Sequence, residues 1–275
     1  VPSISNKELV QLQNTALAKR VNYYRRIGEV ETALVLAKEL LTHLSKPKEM
    51  SSLLYDIAYI QFLKGDFYEA NQAMMQSIVK AQEAKNVVGE VISRNIAANF
   101  NFIAHLFTDE MDKYSNLYHQ QLDQSLAIFT NYAQKDHHAN RFIANVWEHK
   151  SILAYYRHDV DGLQESFVKY QENPFVRGRA DQTTIIMMQA RLCACCGEYQ
   201  DSIDKIHQVI RYRSKEVSED KVESIAQLYY MLIDAYLKLH QINDAKKLYE
   251  KVKCLNGIPA NHVWLNQIER MMFDE

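Results

Sequence analysis

The 275-residue sequence predicts an all-α helical solenoid of about six helical hairpins followed by a C-terminal capping helix. Three observations carry this. A step recurs in which a glycine is followed by four residues and then a small one: Gly28 to Ala33, Gly65 to Ala70 and Gly197 to Ser202. His240 to Ala245 repeats it with histidine in the glycine's place. Each instance closes one apolar-periodic run and opens another, so it reads as a turn followed by a small side chain where two helix backbones approach. Glycine (7) and proline (4) are scarce, too few punctuators for a chain of strand hairpins. Repeat arrays grow without a second core, so residues 1–275 are read as a single domain. A chain that starts at Val1 is expected to be a piece of a longer protein.

The elements follow in order. The first hairpin runs from about Lys7 through the Gly28 turn to Leu44. The second sets Leu54, Ile57, Ala58 and Phe62 before Gly65-Asp66, and Phe67, Ala70, Met74 and Ser77 after it. The third begins with a helix from about Val87 to Leu106, with Ile92, Ile96, Phe100 and Ile103 on one face. Thr108 is placed to cap its partner, with Asp109, Glu110 and Asp112 in the first turn, where the positive helix end favours acids. The fourth has Trp147 and Ser151, a turn at His158-Asp159, then Val160, Leu163 and Phe167. Glu172 to Gly178 is the most loop-like stretch. The fifth has Ile186, Ala190 and Cys193, the Gly197-Glu198 turn, then Tyr199, Ser202, Ile206 and Val209. The sixth has Tyr229, Leu232, Ile233 and Tyr236, a turn at His240-Gln241, then Ile242, Ala245, Tyr249 and Val252. Gly257 suits a C-cap and Pro259 stops the helix. A last helix with Trp264, Ile268 and Met272 covers the apolar edge that the sixth hairpin leaves.

Composition narrows the function. Hydrophobic content of 47% supports a core. A net charge of −2, with no basic stripe interleaved with aromatics, gives no reason to expect nucleic acid or an anionic membrane as partner. No apolar run approaches a bilayer span, and Val1-Pro2-Ser3 does not open a signal peptide. The four cysteines do not make a disulfide framework, and a reducing cytoplasm is the expected compartment. Cys193-Ala194-Cys195-Cys196 contains a C-x-x-C spacing but lacks a preceding strand and a second pair, so these read as small buried hydrophobes. His137-His138 and His149/His158 lack the companions of a zinc site. No metal and no cofactor are expected. No phosphate loop, H-E-x-x-H or G-x-S-x-G occurs, and no enzyme is expected.

The set Leu54/Ala58/Gly65/Ala70/Met74/Ser77, with Tyr236/Ala245/Tyr249 and Trp147/Ser151/Phe167, resembles the tetratricopeptide repeat (TPR) superfamily. Turns near 28, 65, 108, 158, 197 and 240 are spaced more widely than the family's usual repeat of about 34 residues. Such long repeats resemble the TPR regions of bacterial regulators: peptide-responsive quorum-sensing proteins, MalT-like activators and response regulators. The resemblance implies a right-handed TPR-like superhelix whose concave surface is lined by the first helix of each hairpin. The residues it would present there are Asn22, Arg25 and Arg26; Tyr55, Tyr59 and Phe62; Asn95, Asn99 and Phe102; Asn145, Glu148, His149 and Tyr155; Met187 and Arg191; and Tyr230 and Asp234.

An asparagine amide donates to and accepts from one peptide unit at once. Asn95, Asn99 and Asn145 are therefore expected to hold an extended backbone, as the resemblance implies, with Tyr and Phe forming side-chain pockets. The alternative is that they are solvated or locally bonded helix residues. Arg25 and Arg26, with Lys19 and Arg20, are either a solvated face or a clamp for a carboxylate. The leading expectation is the peptide- or protein-binding region of a cytoplasmic bacterial signal-transduction or transcription regulator. One alternative is a structural adaptor working through its convex face or ends, with Met271, Met272 and Phe273 as an end-to-end or homodimer contact. A second is assistance to dephosphorylation of a partner by Glu148 or His149.

Overall fold

The computed structural model describes residues 5–177, 183–216, 222–254 and 262–273. Among the described residues the regular structure is entirely helical: an all-α succession of helical hairpins. The hairpins pair α1 (Asn6–Arg26) with α2 (Val30–His43), α3 (Pro47–Leu63) with α4 (Phe67–Glu83), and α7 (Asn140–Tyr156) with α8 (Val160–Glu172). They also pair α10 (Thr183–Cys195) with α11 (Tyr199–Glu216), and α12 (Val222–Lys238) is followed across the His240 corner by α13 (Ile242–Lys253). Between the second and fourth pairs come α5 (Val87–Ala104) and α6 (Met111–Ala133), and α14 (Val263–Phe273) closes the order. The short helix α9 (Pro174–Arg177) occupies the stretch expected to be loop. Asn173 makes it: its side chain accepts from the Phe175 N–H and donates to the Asn140 carbonyl. Gly178, Gly257 and Pro259 lie outside the described residues.

The recurring step has one physical basis. Gly28, Gly65 and Gly197 sit in the left-handed region at φ of 81°, 77° and 81°, and His158 and His240 do so at 53° and 58°. At each corner the left-handed residue donates to the carbonyl three back, and the next residue to the carbonyl five back. Gly65 bonds Phe62 O and Asp66 bonds Gln61 O at 2.9 Å each; His240 bonds Leu237 O and Gln241 bonds Tyr236 O. This double closure satisfies the last helical carbonyls. The small residues that follow, Ala33, Ala70, Ser202 and Ala245, are all buried. Lys85, at φ 51°, makes the same corner between α4 and α5, with Asn86 donating to Ala81 O.

Two expected details differ. Helix α6 starts at Met111 with Glu110, not Thr108, as its N-cap, so Asp109 lies ahead of the first turn; Thr108 instead folds its hydroxyl onto the His105 carbonyl and accepts from the Glu110 N–H. Ile242 is 51% exposed, because it is the first residue of α13 and lies beyond the seam that Ala245 and Val252 close.

The chain divides into two compact units. The first comprises Val1–Ala104, Ser218–Ala226 and Lys251–Glu275; the second comprises His105–Val217 and Gln227–Glu250. The division falls between α5 and α6, so the two helices of the expected third hairpin belong to different units. In the first unit a chain of buried hydroxyls ties three helices. Ser51 donates to Ser77 O at 3.0 Å, Ser77 donates to Ser51 O at 2.8 Å, and the Ser77 and Ser93 hydroxyls meet at 3.1 Å. The capping helix α14 also belongs to this unit, and Gln267 donates to Ile103 O of α5 at 3.1 Å. In the second unit, Tyr118, Leu122 and Phe129 of α6 and Leu153 and Leu163 of α7 and α8 are fully buried.

Candidate functional site

In the first unit, α1 and α3 bring a polar–aromatic set together. Arg25 Nε lies 4.0 Å from Asp56 Oδ1, and its guanidinium stands over the Tyr59 ring at 5.4 Å. Tyr55 and Tyr59, one turn apart, have ring centroids 6.2 Å apart. Tyr59 meets Phe62 and Phe100 edge-on at 6.2 and 5.7 Å. Asn22, Arg25, Tyr55, Asp56, Tyr59 and Asn99 are half-buried. Burial holds the Asp56 carboxyl above the usual carboxylate range, opposed by the Arg25 charge. Next to this set an open recess of about 400 Å³ runs between α1 and α3. Leu40, Leu44 and Leu53 line its depth, and Gln11, Asn14, Ser52 and Asp56 its rim.

In the second unit, α7, α10 and α12 supply the candidates. Arg191 is buried and donates to the Ser151 hydroxyl at 2.8 Å. The Tyr155 hydroxyl donates to Asp234 at 3.0 Å. Burial raises the Asp234 carboxyl, against the lowering effect of that hydrogen bond. His149 Nδ1 meets the fully buried Tyr118 hydroxyl. Burial, then the Arg191 charge, lowers its pKa to about 4, so the ring is neutral near pH 7. Its near nitrogen is thus held by tyrosine rather than presented to a phosphoryl group. Glu148 is half-buried and Asn145 is exposed.

Several expected surface residues belong instead to the interior. Phe62 stacks on Phe100 at 4.1 Å, and Phe102 is fully buried. Asn95, Tyr155, Met187, Arg191 and Tyr230 are each less than a tenth exposed. The reason is common to them: α3, α5, α7, α10 and α12 bury residues on more than one side, so the face opposite the hairpin partner also packs. Asn95, whose amide was expected to hold a peptide backbone, is thus inside the fold of the first unit. Arg25 carries a carboxylate neighbour of its own in Asp56. Lys19 and Arg20 are exposed, and the Arg26 side chain lies outside the described residues.

Asp56 and Tyr118 are the members that sequence reasoning missed. Asp56 was legible as the charge between Tyr55 and Tyr59 on the first helix of a hairpin. Tyr118 lies on α6, outside the first helices that the resemblance places along the concave surface. Among the described residues no three His, Cys, Asp or Glu converge as metal ligands, and no helix is long and apolar enough to cross a membrane.

No family model matches the sequence, and no curated protein matches it significantly. Solved structures do. The assembly chaperone of RpL4, Acl4 (residues 1–338), is similar at TM-score 0.44 and 10% identity, over 95% of this chain and 97% of that one. A candidate kinesin light chain of Podosopora anserina with nearly identical TPR-like repeats, in a point-substituted form, is similar at TM-score 0.43 and 15% identity, over 85% and 100%. A second structure of those repeats gives 0.37 and 14%, over 84% and 100%. With TM-scores this low, the fold assignment rests on the helices and corners described above.

Proposed function

We propose that this chain is a protein-interaction module that takes a peptide or a partner's extended segment on the α1/α3 face of its first unit. The observation that carries the reading is the half-exposed Tyr55–Tyr59 pair beside an open, apolar-floored recess of about 400 Å³. Aromatic rings with a polar edge combine contact area with hydrogen bonding and recur at interaction surfaces. The working surface is narrower than the sequence suggested, because Phe62, Asn95 and Phe102 are core. The described cysteines are unpaired, which accords with a cytoplasmic regulator of the bacterial kind that the long repeats resemble.

The test is selection of short random-sequence peptides on the immobilised chain. The combined Tyr55→Ala and Tyr59→Ala variant is expected to weaken the enriched peptides at least about tenfold while helicity is kept. Val35→Ala, on the far side of the hairpin, is expected to leave affinity unchanged. Equal affinity for the groove variant and the parent would overturn the reading.

A second reading has its own observation. Val35, Tyr68, Met75 and Val79 on α2 and α4 are 64%, 73%, 56% and 47% exposed. An apolar recess among Leu41, Met50, Leu54, Met75 and Val79 adjoins them. This face suits an adaptor, and the Val35 control above reports on it: a partner lost with Val35→Ala but kept by the groove variant would favour assembly through α2 and α4.

A further inference from the structure

The recess of the first unit has an asymmetry in its polar groups that points to what it receives. Two facing stripes border it, Gln11, Asn14 and Ala18 on α1, and Glu49, Ser52 and Asp56 on α3; Asn22 and Arg25 continue the α1 stripe beyond it at helical spacing. Their charges are not equally matched. Glu49 accepts from Lys46 at 2.8 Å. Asp56, by contrast, has the Arg25 guanidinium at 4.0 Å, beyond hydrogen-bond distance. Asn22, one turn before Arg25, holds its Oδ1 buried with no hydrogen-bond partner among the described residues. Buried acceptors without donors are costly to the free protein and are satisfied when a donor arrives.

We infer that the α1/α3 recess selects a peptide segment carrying a lysine or arginine, whose cation donates to Asp56 while its apolar neighbours lie over Leu40, Leu44 and Leu53. The inference rests on the reading of this face as the peptide surface and adds the chemical class of the ligand. It runs opposite to the carboxylate clamp that the basic residues of α1 suggested. Arg25 is held over Tyr59 and does not reach Asp56 closely, so the carboxylate keeps lone pairs for a second donor. That burial outweighs Arg25 in setting the acidity of Asp56 agrees: the resident cation leaves the carboxylate under-compensated. Gln11 and Asn14 on the rim carry amides suited to the backbone on either side.

The experiment uses the whole chain and four pools of short labelled peptides with mixed apolar flanks and a fixed central residue: lysine, arginine, norleucine or glutamate. Norleucine keeps the lysine stem and removes its charge. The lysine and arginine pools are expected to bind at least about tenfold more tightly than the other two by anisotropy. Asp56→Asn is expected to remove that difference and leave the norleucine pool's affinity in place. Ser52→Lys sets an ammonium one turn from Asp56, occupies the carboxylate from within, and is expected to abolish the preference on a fold that Asp56→Asn alone would leave in question. If the four pools bind equally, or Asp56→Asn leaves the preference intact, the inference falls while peptide binding at this face stands. If no pool binds the parent chain, both fall together.

Discussion

At the hairpin corners single residues decide whether the chain can turn. Gly197 adopts φ +81°, and a Cβ built there meets nothing within 4 Å. Gly197→Ala therefore isolates the backbone term, and chemical denaturation is expected to show a loss of about 1 kcal/mol. His240 occupies the same kind of corner at φ 58° with a side chain that pays the strain. His240→Gly is expected to stabilise by up to about 1 kcal/mol in the same assay. His262 is a different case. It is buried ahead of α14, and its Nδ1 accepts from the Trp264 N–H at 3.2 Å. A protonated ring has no acceptor there. Burial lowers its pKa from 6.5 to about 4. The unfolded chain then binds more protons between those values. The stabilising contribution is present above pH 6.5 and lost as pH falls through about 4. His262→Asn keeps a cap acceptor that does not titrate, so thermal melts across this window are expected to show a shallower acid loss than the parent. An unchanged slope would assign the loss elsewhere.

At the scale of elements, close approach of backbones is what the small residues secure. Ser77 sits at the junction of α3, α4 and α5 with both neighbours bonded to its hydroxyl. Ser77→Ala removes only the hydroxyl, leaves the Ser51 carbonyl and Ser93 hydroxyl short of a partner, and is expected to cost about 1–3 kcal/mol in denaturant unfolding. This scale was also the most legible in the sequence. The Gly–small step located four corners, because a left-handed residue and a buried alanine or serine are demanded by local geometry alone. The Lys85 corner escaped, since lysine gives no sign of a left-handed backbone. The faces of α3, α5, α7, α10 and α12 escaped too. Periodicity identifies one buried stripe, and a helix enclosed on several sides has more than one, so Phe62, Asn95, Tyr155, Arg191 and Tyr230 read as surface when they are interior.

For the whole molecule, the division into two units rests on contacts that no local pattern encodes. Gln267 and Ile103, joined by a hydrogen bond, are 164 residues apart. A last helix with Trp264, Ile268 and Met272 is expected as cover for the edge of the sixth hairpin, but nothing local shows that it serves the unit containing α5. Ile268 is fully buried. Ile268→Ala is expected to cost about 2–5 kcal/mol. Hydrogen exchange is expected to show α5 amides released ahead of α7 amides, as befits a defect in the first unit. The proposed binding is likewise assigned to one unit, at the face built by α1 and α3. The most direct test of that claim is hydrogen exchange of the whole chain with and without a peptide enriched by selection. Slowed exchange confined to α1 and α3 of the first unit is the predicted result. Slowed exchange on α2 and α4 with α1 and α3 unchanged would contradict it.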